Sequence, residues 1–214
     1  PFYGFDRVEL TRPHADEAHV GQHYALWMED KGLKDWRRHF QAPTGTASAQ
    51  YGAWSLPEAY HPTTWIAERT CARLDEAKNA GQPFFIWSSF FDPHPPYLVP
   101  EPWASMYDPE TLTVPEAEPG EHKRNPPHFG LTQTEDPDFG DMRHERPHGN
   151  IAHGLHSHLR SREDRARDLA IYHGMMSMTD HYIGRVLAHL ERLGLAGNTL
   201  VVFTSDHGHF YGQH

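Results

Sequence analysis

The stretch Thr199–Gly208, TLVVFTSDHG, constrains this chain more than any other. Four apolar residues, Leu200 to Phe203, run almost directly into Ser205, Asp206, His207 and Gly208. The pattern predicts a buried strand that delivers a carboxylate and an imidazole to its C-terminal end. In open α/β sheets ligands gather at those ends. Asp206 offers hard anionic oxygen and His207 a neutral nitrogen, so the pair is a candidate for holding one divalent cation. Gly208 lets the chain turn away without a side chain over the site. The bland alternative for Asp206 is a helix N-cap with an incidental histidine beside it.

Pro83–Tyr97, PFFIWSSFFDPHPPY, repeats the design. An apolar strand from Phe84 to Phe90 is expected, followed by Asp92, His94 and prolines that stiffen the loop. A histidine held rigidly at a strand end suits proton transfer, because its pKa lies near neutrality. If the two strands are neighbours in one parallel sheet, their loops line one crevice. The expectation the rest depends on is that Asp206, His207 and His94 face a common cleft.

The rest of the chain reads as helices between these strands. A helix is expected from Gln22 to about Lys31, with Tyr24, Trp27 and Met28 on one side. Thr44–Pro57 is rich in small residues and reads as loop. Pro62–Gly81 reads as a helix, with Pro62 near its first turn, a stripe of Ile66, Thr70, Cys71, Leu74 and Ala77, and Gly81 as its stop. Arg165–Leu193 is the clearest helix, with Leu169, Tyr172, Met176, Ile183, Val186, Leu187, Leu190 and Leu193 at three- and four-residue steps. Gly194 ends it, and Gly197-Asn198 turns into the strand. Helix, turn, apolar strand and polar loop occur twice, which predicts an α/β fold with a mostly parallel sheet flanked by helices. Between Pro95 and about Arg160 the pattern weakens, and an excursion is expected at about residues 108–162.

Composition excludes several functions. The 214 residues carry 19 basic and 29 acidic side chains, a formal net charge of −10, which argues against nucleic acid as the main partner. It argues more weakly against docking on anionic membranes. No apolar run approaches the roughly 20 residues of a membrane span, so a soluble protein is expected. The single cysteine, Cys71, excludes an intrachain disulfide and falls on a helical stripe, which reads as a buried thiol rather than a nucleophile. Met175, Met176 and Met178 read as core filler. His19 and His23 have the spacing of a zinc pair but no third ligand nearby. The run His144, His148, His153, His156 and His158 reads as solvated loop, or as a weak chelator of transition metals. There is no Gly-rich phosphate loop and no GxSxG elbow.

FFDPHPPY (Phe90–Tyr97) and VVFTSDHGHFYGQH (Val201–His214), with MTDHYIGRVLAHLERLGLAGNTL between them, resemble the sulfatase family of the alkaline phosphatase superfamily. PEPWASMYDPETLTVPE (Pro100–Glu116) and the opening GFD (Gly4–Asp6) resemble it too. The resemblance implies an alkaline phosphatase-like fold and hydrolysis of a sulfate monoester. It implies a formylglycine nucleophile made from Cys or Ser in a C-x-P/A-x-R motif, and a divalent cation, with calcium first and manganese or magnesium as alternatives. Asp206 and His207 match the second half of the metal site, with Asp206 also helping to deprotonate the nucleophile. His94 matches the histidine that binds the sulfate and protonates the leaving oxygen. His214 and Tyr97 are further substrate-binding candidates, and Tyr97, Trp103 and Tyr107 offer rings for a sugar or aryl group.

The C-x-P/A-x-R motif is missing from the sequence, as are the first metal carboxylates and the lysine expected after the SDHG loop. The chain therefore reads as the central part, residues 1–214, of one sulfatase-type catalytic domain, carrying half an active site and no nucleophile. The substrate implied is a small-molecule or carbohydrate sulfate ester. A phosphonate monoester or phosphodiester hydrolase of the same superfamily is the alternative enzyme, and a non-catalytic metal-binding relative the alternative of another class.

Overall fold

A computed structural model describes residues 3–11, 22–36, 51–94, 97–116, 118–127 and 161–209. The His-rich run from His144 to His158, His14, His19 and His214 lie outside the described residues.

Three helices frame the described structure: α1 (Gln22–Asp30), α2 (Pro62–Ala80) and α3 (Arg162–Arg192). Local chemistry sets their ends. At the start of α2, the His61 ring accepts the Thr63 N–H and Pro62 occupies the first turn, where its missing N–H costs nothing. Gly81 stops α2 at φ 62°, a left-handed conformation that favours glycine. α3 begins three residues earlier than apolar periodicity predicts. Ser161 Oγ accepts the Asp164 N–H at 3.0 Å and donates to the Asp164 carboxylate at 2.8 Å, a reciprocal cap placed in a wholly polar stretch.

The structure does not confirm the two predicted strands among the described residues. Phe84–Phe90 and Leu200–Phe203 are neither helical nor paired in a ladder among the described residues. The observed pair is short and lies elsewhere. β1 (Tyr51–Ala53) and β2 (Tyr97–Val99) run parallel, with Tyr51 opposite Tyr97 and Ala53 opposite Val99. β1 thus falls inside the segment read as loop. The physical reason is that a strand needs a partner for its backbone groups, and an apolar run alone does not supply one. From Phe84 to Phe90 exposure alternates. Phe85 and Trp87 are 75% and 71% exposed, while Ser88 turns inward and its Oγ meets Thr70 Oγ1 at 2.7 Å. Leu200 to Phe203 are exposed on both faces, so the expected burial does not hold there.

Two apolar clusters carry the packing. One joins α1 (Tyr24, Ala25, Met28) to Trp36, Trp54, Leu56 and the first turn of α2 (Trp65, Ile66). The other joins Ala67 of α2 to Tyr97 and Val99 of β2 and to Met175, Met178 and Tyr182 of α3. Phe90 packs against both. Met176 and Leu187, expected on the buried stripe of α3, are exposed; Met175, Met178 and Tyr182 are buried instead. Cys71 is half-buried on α2, where burial pushes its thiol pKa up.

Part of the segment read as an excursion is folded. Short 3-10 turns at Trp103–Ser105 and Pro109–Thr111 pack on α3. The Trp103 turn touches α3 at Gly174, where an added Cβ would lie 2.2 Å from the Trp103 carbonyl oxygen. Glu58 ties the same region together, accepting from Trp103 Nε1 at 2.9 Å and from the Tyr182 hydroxyl at 2.7 Å. Glu9, its pKa lowered chiefly by the Arg69 hydrogen bonds, anchors the N-terminal segment to α2. Among the described residues, no helix is long and apolar enough to cross a membrane.

Candidate active site

His94 follows Phe84–Phe91 on a tight turn in which its N–H donates to the Phe91 carbonyl at 2.9 Å. Its ring is exposed. Behind it, Asp92 is buried, with 6% of its side chain exposed, and it accepts a hydrogen bond from the Thr63 hydroxyl. His61 stands beside it with Nδ1 3.8 Å from Asp92 Oδ2. That contact is not an ion pair. Nδ1 already accepts the Thr63 N–H at 3.2 Å, and Nε2–H donates to the Leu98 carbonyl at 3.2 Å, so the ring is the neutral tautomer. Burial holds the His61 pKa below its ordinary value and the Asp92 pKa above its own. The His94 loop is therefore pinned at Asp92 to the N-terminus of α2, and through His61 to β2.

Asp206 and His207 sit at the far end of the segment after α3, with side chains 83% and 74% exposed. Local bonds shape this loop. The His207 N–H donates to Asp206 Oδ1 at 2.8 Å, and Ser205 Oγ donates to the His207 carbonyl at 2.8 Å. His207 Nδ1 lies 2.9 Å from the Gly208 carbonyl, so Nδ1 carries the proton. Nε2 lies 3.4 Å from Asp206 Oδ2. Donors 3.4 Å apart can both reach one cation at about 2.0–2.6 Å. A metal-binding histidine whose other N–H is held by a carbonyl is the usual arrangement. The donor pair fits a divalent cation but does not complete its shell, since calcium takes about 6–8 oxygen ligands. Among the described residues no group of three or more His, Cys, Asp or Glu is placed to hold a metal.

The two loops meet at residues the sequence did not single out together. The Tyr97 hydroxyl lies 3.1 Å from His209 Nε2, and the His209 ring stacks on Tyr172 of α3 with centroids 5.8 Å apart. Burial is the chief cause that lowers the His209 pKa. Tyr97 is fully buried, which leaves its ring to packing. Trp103 and Tyr107 also face α3: Trp103 lies on His181 with centroids 5.5 Å apart, and the Tyr107 hydroxyl lies 2.7 Å from Ser177 Oγ. His23 Nδ1 accepts the Leu10 N–H at 3.1 Å, a structural use. His209 and His61 carried no sequence signal beyond being two of 19 histidines.

The Sulfatase family model matches residues 16–214, and the chain belongs to the sulfatase family. A multifunctional alkaline phosphatase superfamily protein, PehA of Trinickia caryophylli, is 29% identical over 208 residues, covering 89% of this chain and 37% of its own length. An arylsulfatase of Clostridium perfringens is 29% identical over 163 residues, 75% of this chain and 29% of its own. Human iduronate 2-sulfatase is 28% identical over 163 residues, 74% of this chain and 28% of its own. The chain thus spans just over a third, or less, of these relatives. Among solved structures, the phosphonate monoester hydrolase SpPMH of Silicibacter pomeroyi matches 92% of this chain and 37% of its own, with a TM-score of 0.61 and 22% identity. That likeness shows an alkaline phosphatase-like fold.

Proposed function

We propose that this chain is the central part of a sulfuric ester hydrolase domain. Asp206 and His207 supply part of a divalent-cation site, and His94 acts as the acid for the leaving group. The observation that carries this reading is the approach of His207 Nε2 to Asp206 Oδ2, 3.4 Å apart, on a loop joined to β2, just after the His94 loop, through Tyr97 and His209. A calcium ion bound there would draw charge from the non-bridging sulfate oxygens. The protein's own groups do the rest. The His207 Nδ1–H bond to Gly208 keeps Nε2 basic and oriented. The Asp92 anchor fixes the turn that presents His94. As the S–O bond to the leaving group breaks, His94 gives its proton to that oxygen, and so prevents a full alkoxide or phenoxide charge from developing.

The nucleophile and the remaining ligands belong, in this reading, to a longer polypeptide of the kind its relatives have. The exposed apolar side chains of Phe85, Trp87 and Leu200–Phe203 support this, since contiguous apolar surface of this kind is ordinarily covered by another element. The parallel sheet predicted from the sequence would form when such neighbours pair with them.

PehA, whose match covers 89% of this chain, is named as multifunctional, and this favours a second reading in which a phosphonate monoester or phosphodiester is hydrolysed at the same centre. The test is to express the complete reading frame, strip it with chelator, and assay an aryl sulfate and a phenylphosphonate ester with and without added calcium. Calcium-dependent turnover of the sulfate supports the first reading, and preference for the phosphonate ester the second. No turnover of either removes both. The isolated 214-residue chain is expected to be inactive.

A further inference from the structure

We propose that His209 is a positioning residue. With Tyr97 and Tyr172 it forms a clasp that sets the loop bearing Asp206 and His207 against the loop bearing His94. The proposal rests on the reading of these loops as one hydrolytic centre. Three rings contact one another: Tyr97 and Tyr172 edge to face at 5.9 Å, Tyr172 and His209 stacked at 5.8 Å, and Tyr97 and His209 edge to face at 6.4 Å. The hydrogen bond between the Tyr97 hydroxyl and His209 Nε2, at 3.1 Å, fixes their mutual orientation.

Two of the rings belong to regular elements. Tyr97 is fully buried on β2, in register with Tyr51, and Tyr172 projects from α3. His209 ends a stretch in which residues 200–209 are exposed. The placement is symmetric in sequence. Tyr97 follows His94 by three residues, and His209 follows Asp206 by three. A link of three residues spans at most about 11 Å, so the clasp bounds how far either functional residue can drift from it. The local bonds within the SDHG loop shape that loop but do not attach it to β2 or α3. His209 makes that attachment, and acts on the chemistry through Asp206 and His207.

The test uses the complete enzyme with His209→Ala, His209→Gln, Tyr97→Phe and the double variant Tyr97→Phe/His209→Ala. Three readouts are taken: the dissociation constant for calcium alone by calorimetry, kcat and KM for an aryl sulfate at saturating calcium, and hydrogen exchange of the amides of residues 205–208. His209→Ala should weaken calcium binding about tenfold, the low end for outer-sphere partners of a metal site, and lower kcat with little change in KM. Exchange in the loop should quicken. His209→Gln, whose amide can meet the Tyr97 hydroxyl, should recover most of the loss, and the double variant should be no worse than His209→Ala. Wild-type calcium affinity, kcat and exchange in His209→Ala would overturn the clasp, as would single effects that simply add in the double variant. Should His209→Ala not fold, His209→Gln and Tyr97→Phe decide through the same readouts. If the unaltered enzyme hydrolyses neither ester, the functional reading fails, while loop exchange in the variants still judges the clasp by itself.

Discussion

Gly174→Ala and Gly184→Ala place the same methyl group in one helix with opposite expected results. On propensity alone each change stabilises α3 by about 1 kcal/mol. At Gly184 nothing lies within 4 Å of the new Cβ, so the gain should appear in full. At Gly174 the Cβ would sit 2.2 Å from the Trp103 carbonyl oxygen, 3.0 Å from its carbon and 3.6 Å from Val99 Cγ1. The oxygen must retreat by about 1 Å to reach ordinary contact. It cannot move freely: it accepts the Met106 N–H at 3.3 Å, and the Trp103 ring is tied to Glu58 at 2.9 Å. Overpacking of this kind costs about 1–3 kcal/mol, and a weakened hydrogen bond about 1 kcal/mol more. After the propensity gain, a net loss of about 1–3 kcal/mol remains. In a chain of this size each kcal/mol shifts Tm by about 2–4 °C. Differential scanning calorimetry should therefore show Gly184→Ala melting about 2–4 °C higher and Gly174→Ala about 2–12 °C lower. If both variants melt higher, the close approach of α3 to the Trp103 turn is wrong.

Glu58→Ala strips the acceptor from both Trp103 Nε1 and the Tyr182 hydroxyl. Two hydrogen bonds to a charged acceptor are worth on the order of 3 kcal/mol, so Tm should fall by about 6–12 °C. His61 has a folded pKa lowered by burial, so the unfolded chain binds its proton more readily. Its contribution to stability is complete above about pH 6.5 and is lost as pH falls below that value. Asp92, raised by burial, works in the other direction: its contribution is complete below about pH 3.9 and is lost as pH rises through its folded pKa. Urea titrations in an Asp92→Asn background isolate the histidine, and His61→Gln should flatten the fall on the acid side. In the complete enzyme, His94→Gln should lower kcat by roughly 10²–10⁴ for alkyl sulfates with poor leaving groups and much less for 4-nitrophenyl sulfate. An equal loss on both would remove His94 from the role of acid.

What the sequence disclosed follows from how far each signal reaches along the chain. The helices were legible because their signals are local: Pro62 and Gly81 bracket α2, and Gly194 follows α3. The start of α3 was missed because the Ser161–Asp164 cap lies among charged residues with no apolar periodicity. Strand pairing is not local. Phe84–Phe90 and Leu200–Phe203 carry the composition of buried strands but find no ladder among the described residues. Tyr51–Ala53 and Tyr97–Val99, only three residues each, pair across 46 positions of sequence. The site divides in the same way. Asp206, His207 and His94 stand out at the ends of apolar runs. His209 and His61 matter only through partners far away in sequence, Tyr97 and Tyr172 for one and Leu98 for the other.

The account depends on one spatial relation, that the imidazole of His94 and the Asp206–His207 pair serve a single anion. A crystal structure of the complete enzyme with calcium and inorganic sulfate measures it directly. The account predicts calcium on Asp206 Oδ2 and His207 Nε2, and a sulfate oxygen within about 2.6–3.2 Å of a His94 ring nitrogen. Calcium bound elsewhere, or His94 turned to another surface with no contact to the sulfate, would contradict it.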